Sequence, residues 1–156
     1  MKALIIYDSV FRNTEKVAQA VGQALAERGE VSVVRVSDVK PGQLSGLDLL
    51  VVSSPTRGFQ PTPALAEFLK ALPEGGLKGV RVAVFDTRIP VKEMKNPLLR
   101  WFLHKMGYAA PVIAKILAAK GAQMTLAPEG FFVDDREGPL RAGELDRAAA
   151  WIKTAL

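Results

Sequence analysis

Ser9, Asn13 and Thr14 are three side chains that can donate hydrogen bonds to an oxyanion, and they stand within six positions of one another. Arg12 adds a full positive charge between them. Val10 and Phe11 complete the run, and Phe11 offers its backbone N–H. The chemistry this cluster fits is the binding of a phosphate. The flanking residues say how it would be held. Ala3-Leu4-Ile5-Ile6-Tyr7 reads as a buried strand, and Val17, Ala18, Val21 and Leu25 fall on one face at helical spacing. A strand that feeds a helix through a polar loop leaves the first N–H groups of the helix unpaired, with the positive end of its dipole beside them. The simpler alternative is that Ser9 or Asn13 caps the helix and needs no ligand. The clustering at a first strand–helix turn, where open α/β sheets bind ligands, favours the anion site.

Composition narrows the other chemistry. The chain has 156 residues, no Cys and one His, His104. Disulfides, thiolate chemistry and His-rich metal sites are therefore ruled out, and no metal site is expected. No apolar run reaches the ~18–20 residues of a membrane span, and the N-terminus reads as a strand, not a signal peptide. A cytoplasmic location is the expectation. The length is that of one domain, 1–156. No G-x-G-x-x-G or Walker A run opens a helix, and no nucleic-acid module is visible. A response-regulator receiver needs clustered carboxylates at strand ends, but strand three ends in Ser53-Ser54 and leaves Asp8 alone.

The net charge is +5, and residues 81–105 hold six cations against two acids, a local excess of +4. Such a patch fits an acidic partner, an anionic ligand or a membrane surface; a solvated face of mixed charge is the alternative.

The elements alternate. Strands are expected at 2–8, 31–36, 48–53 and 80–85, with a fifth inside 123–133 kinked around Pro128 and Gly130. Helices are expected at 13–27, from Thr62 as cap with Pro63 in its first position, at 96–105, at 109–120 and at 144–156. Residues 38–46 read as a turn or short helical piece. Polar or Pro/Gly-containing loops follow strand three (Ser54-Pro55-Thr56-Arg57-Gly58-Phe59) and strand four (Asp86-Thr87-Arg88). This alternation gives a three-layer α/β sandwich with a parallel sheet.

With these three loops in place, the chain resembles the flavodoxin family in its short form, over nearly its whole length. It is similar in particular to the flavodoxin-like proteins related to menaquinone-dependent protoporphyrinogen oxidase. The family's phosphate loop, Ser/Thr-x-Thr-Gly-x-Thr with Ala four residues on, is matched by Ser9, Asn13, Thr14 and Ala18, while Phe11 replaces a hydroxyl and Arg12 a Gly. If position 12 needs a positive φ, Arg12 is strained there. Otherwise Arg12 reaches the phosphate or turns to solvent.

The resemblance implies five parallel strands in the order 2-1-3-4-5 and a bound FMN. It places FMN contacts at Ser9, Val10, Phe11, Arg12, Asn13 and Thr14, at Pro55, Thr56, Arg57, Gly58 and Phe59, and at Asp86, Thr87 and Arg88. Arg57 or Phe59 would cover one ring face. No Tyr or Trp directly follows Arg88, so Trp101 or Phe102 folds back or the other face stays open.

No catalytic residue is singled out. Arg57 and Arg88 near the ring imply a less negative potential than in acidic flavodoxins. The implied function is electron transfer between partner proteins, with an acidic redox partner for this basic chain. The alternative is an FMN oxidoreductase acting on a quinone or a porphyrinogen, with residues 89–108 as lid, docking face or membrane-surface contact. A third is a domain without FMN, its loop spoiled by Arg12.

Overall fold

The computed structural model describes residues 1–156. Five runs of apolar, β-branched or aromatic residues form the sheet. They are β1 (Lys2–Tyr7), β2 (Glu30–Arg35), β3 (Leu49–Pro55), β4 (Arg81–Arg88) and a fifth position shared by β5 (Gln123–Met124) and β6 (Glu129–Phe132). The order is β2-β1-β3-β4-β5, with β6 also on β4, and every pairing is parallel. This is the flavodoxin-like α/β fold, with the strand order that the resemblance implies. Two 3-10 turns at 36–38 and 41–44 fill the stretch after β2.

Helices α1 (Asn13–Ala26), α2 (Pro63–Ala71), α3 (Pro97–Met106), α4 (Ala109–Ala119) and α5 (Glu144–Lys153) connect or follow the strands. Side chains alternate across β1, so each face meets its own helices. Ala3, Ile5 and Tyr7 pack with Val17, Val21 and Leu25 of α1 and with Ile152 of α5. Leu4 and Ile6 pack with Leu65 and Leu69 of α2 and Ile113 and Leu117 of α4. Leu4, Ile5 and Ile6 are at most 1% exposed. That explains an unbroken apolar run instead of an alternating one: a parallel sheet is covered on both sides.

Three boundaries differ from the sequence reading, and they matter at the site. β3 extends through Pro55 and β4 through Arg88. Ser54, Asp86, Thr87 and Arg88 are therefore strand residues whose faces are dictated by the pleat. The fifth strand is broken in two. The gap contains Pro128, which has no N–H for a ladder. β6 is locked instead to α5: Glu144 accepts the Phe132 N–H at 2.7 Å and is clasped by Arg147.

Candidate functional site

β1 delivers the chain to the first loop at the C-terminal edge of the sheet, and α1 carries it away. Arg12 precedes the helix at φ 67°, the left-handed region, and no side chain caps the first turn of α1. Neither Ser9 nor Asn13 serves as the cap. The Ser9 N–H donates to Asp8 Oδ1 at 2.9 Å, and Ser9 O accepts from Arg35 Nη2 at 2.9 Å. Its hydroxyl is buried and has no hydrogen-bond partner. Asn13 Nδ2 donates to Glu137 O at 3.1 Å, tying the loop to the segment after β6.

Arg12 is strained but sits outside the site. Its side chain is 78% exposed and pairs with Glu15 at 3.3 Å. Arg12→Gly is expected to stabilise the protein by about 0.5–1 kcal/mol. Left-handed backbone costs a non-glycine residue roughly 1–2 kcal/mol, and glycine's extra freedom when unfolded returns about 0.4–1 kcal/mol of that. A higher urea midpoint is the expected reading; a lower one would mean that the Arg12 side chain contributes more than its exposed ion pair indicates.

The second loop is a tight hairpin. Arg57 and Gln60 exchange backbone hydrogen bonds at 2.8 and 3.0 Å, and both central residues have positive φ, Gly58 at 53° and Phe59 at 68°. That is the signature of a type I′ turn. The hairpin is closed below by the Thr62 N–H donating to Ser54 Oγ at 3.0 Å. Arg57 reaches across to the first loop, its guanidinium 5.9 Å from the Phe11 ring centre.

At the end of β4 the pleat separates neighbours. Thr87 faces α1 and shares a hydrogen bond with Thr14, Oγ1 to Oγ1, at 2.8 Å. Asp86 and Arg88, two residues apart, face the other way together. Asp86 is fully buried. Arg88 grips it with two hydrogen bonds, Nε to Oδ1 at 2.6 Å and Nη2 to Oδ2 at 2.8 Å, and the Ala110 N–H donates to Oδ2 at 2.8 Å. Burial pushes the Asp86 carboxyl up, and the Arg88 fork and the Ala110 N–H pull against it. Arg88 also lies 3.8 Å from the Tyr108 ring centre. Room for the guanidinium exists because position 130 is glycine; a Cβ there would overlap it.

Eleven of the fourteen residues singled out in the sequence line one cavity of about 460 Å³. They are Ser9, Val10, Phe11, Asn13 and Thr14 from the first loop, Pro55, Thr56, Arg57 and Gly58 from the second, and Thr87 and Arg88 from β4. Arg12, Phe59 and Asp86 do not line it. Phe59 packs against Phe102 of α3, ring centres 6.2 Å apart. Asp86 points into the α4 side of the sheet.

The fourth wall comes from the segment after β4 and the far side from Val133 and Arg136. Ile89, Met94, Leu99, Leu103 and Tyr108 supply apolar surface there. Neither Trp101 nor Phe102 folds into the cavity. The aromatic at that wall is Tyr108, whose hydroxyl donates to Ile89 O at 3.3 Å and whose phenol is pushed up by burial. Sequence reasoning missed it because it stands twenty positions beyond Arg88 and is returned to the site by α3. Arg88 brings no free charge to the cavity, since Asp86 balances it. Arg57 and Arg136 are the lining cations that form no ion pair.

The flavodoxin family model matches residues 5–86, just over half the chain, and spans the first two loops and β4 as far as Asp86. The chain belongs to the flavodoxin family. Members of this family bind FMN and pass electrons to redox partner proteins. Solved structures agree on the fold. Oxidised flavodoxin 1 from Bacillus cereus is 17% identical, with 99% of this chain and 97% of that one covered and a TM-score of 0.77. A flavodoxin from the domain Archaea is 21% identical over 99% and 96% of the two chains, with a TM-score of 0.74. Rubredoxin oxygen:oxidoreductase from Desulfovibrio gigas is 19% identical with a TM-score of 0.74; 98% of this chain is matched, but only 34% of that one. Arg12 holds a positive φ at the position where the loop form quoted above has Gly. No helix of this flavodoxin-family chain is long and apolar enough to cross a membrane.

Proposed function

We infer that the chain binds FMN, with the 5′-phosphate in the first loop, and carries electrons between proteins. One observation carries this reading: the Ser9 hydroxyl is buried without a partner at the uncapped N-terminus of α1. Leaving a buried hydroxyl unpaired costs about 1–3 kcal/mol. A phosphate oxygen at that place supplies the missing partner and meets the free N–H groups of the first turn.

Ser9, Asn13, Thr14 and the backbone of Val10 and Phe11 would hold the phosphate. Pro55, Thr56, Arg57 and Gly58 would border the ring edge. Thr87 and Arg88, with Tyr108 beside them, would close the remaining side. Bound there, FMN supplies reversible one- or two-electron transfer. Arg57, unpaired by any carboxylate, favours added electron density at the site, so its charge raises the potential relative to an acidic site. The +5 charge of the chain fits an acidic redox partner.

The test is to titrate the ligand-free protein with FMN and with riboflavin. FMN is expected to bind at least about 100-fold more tightly, the difference being the charge-assisted phosphate contacts. A protein that takes up neither, or both equally, removes the reading.

The apolar wall of Met94, Leu99 and Leu103 supports a second reading, an FMN-dependent oxidoreductase related to the protoporphyrinogen oxidase branch and acting on a quinone or protoporphyrinogen. Turnover of protoporphyrinogen with a quinone by the loaded protein separates it from a pure carrier.

A further inference from the structure

We propose that α3 lays its outward face on a bilayer surface rich in anionic lipid. The proposal does not draw on the cofactor reading; it concerns the outside of the helix whose inside walls the cavity.

α3 is ten residues long and buries one side chain, Leu103. Leu98, Leu99, Trp101 and Met106 are 62%, 45%, 54% and 52% exposed, and they account for four of the seven large hydrophobic side chains the protein exposes. Leu99 and Leu103 already contribute to the cavity wall. The helix therefore cannot roll to hide Leu98 and Trp101 without withdrawing that wall. What covers them must come from outside.

Charge says what kind of surface that is. Lys92, Lys95, Arg100 and Lys105 lie in or just before α3, and α3 itself has no carboxylate. The lone acid of the segment, Glu93, is engaged by Arg141. The patch thus presents cations with no anion of its own, which suits a negatively charged surface.

The arrangement of those cations favours lipid over protein. Leu98, Trp101 and Lys105 stand at i, i+3 and i+7 and share one face. The Lys105 ammonium sits 4.9 Å from the Trp101 ring centre. A protein interface concentrates apolar residues at a dry centre and keeps lysines to the rim. Here a lysine lies inside the apolar arc. At a lipid headgroup layer that placement is favourable: the Trp ring occupies the boundary, Leu98 dips below it, and the lysine stem extends to the phosphates.

Co-sedimentation of the full chain with vesicles tests this. Vesicles of phosphatidylcholine with about 40 mol% phosphatidylglycerol should retain the protein at low salt, and pure phosphatidylcholine vesicles should not. High salt should release it. Leu98→Ser/Trp101→Ser should lower the bound fraction at least about fivefold, and Lys95→Gln/Arg100→Gln should lower it too. All four side chains lie outside the cavity lining, and far-UV circular dichroism and the urea midpoint of the variants report whether they remain folded. No retention on anionic vesicles, equal retention on neutral ones, or unchanged retention of both variants would overturn the proposal. So would retention on polyglutamate through Trp101 with none on vesicles, which would make an acidic protein the occupant.

Discussion

Arg88→Met is expected to destabilise the protein by about 3–5 kcal/mol at pH 7, the cost of leaving a buried charge without its partner. Asp86 is fully enclosed, and the Arg88 fork is its main compensation; without it, only neutral donors, the Ala110 N–H and the Thr56 hydroxyl, remain. The loss should depend on pH in a definite sense. The Asp86 carboxyl is already raised by burial, and removing Arg88 raises it further. A carboxyl whose folded pKa lies above its unfolded value costs stability that sets in as pH rises past the unfolded value and is complete above the folded one; because Arg88→Met moves the folded value higher, its deficit relative to the parent protein opens as pH rises past the parent's folded value. The deficit of Arg88→Met should therefore be larger at pH 8 than at pH 5. Asp86→Asn/Arg88→Met should recover much of it, because Asn keeps an acceptor for Ala110 and carries no charge. Urea unfolding of the two variants at both pH values is the measurement. A deficit under about 1 kcal/mol, or one that grows in acid, would show that the pair is not the anchor described.

Ser9→Asp is expected to weaken FMN binding at least about 100-fold while leaving riboflavin binding nearly unchanged. The substitution removes a donor of a charge-assisted hydrogen bond and sets a carboxylate against a dianion in a partly enclosed site. The effect should be confined to the phosphate, since Ser9 belongs to the first loop and the ring-edge residues Pro55–Gly58 belong to the second. Ser9→Ala provides the milder comparison, losing the hydroxyl alone and with it about a tenfold preference. Fluorescence titration with both ligands gives all the numbers needed. If Ser9→Asp weakens FMN and riboflavin equally, the loop has lost its shape instead of its phosphate contact, and the assignment of the phosphate fails.

How much of this could be read from the sequence depends on the range of the signal. The first loop was legible because strand, polar run and helix follow one another within twenty residues. The parallel sheet is legible in the strand–helix alternation, whereas its order comes from the resemblance alone. The orientation of Asp86 is not legible, since the apolar run stops at Phe85 and the strand pattern stops with it. Had β4 been carried to Arg88, the two-residue period would have turned Asp86 and Arg88 to one face and Thr87 to the other. Phe59 and Tyr108 depend on α3, which moves the chain away from the site and back. Local pattern contains nothing about where such a detour lands. Trp101 shows the same limit: composition places tryptophan in cores, whereas here it is more than half exposed.

The absent side chain at Gly130 has a consequence for variation. A methyl group at 130 would overlap the Arg88 guanidinium, and displacing Arg88 would strand the Asp86 charge. Positions 86, 88 and 130 are thus one character written in three places, on two neighbouring strands. A lineage that acquires a side chain at 130 must give up the arginine, and with it the acid, within the same interval of descent.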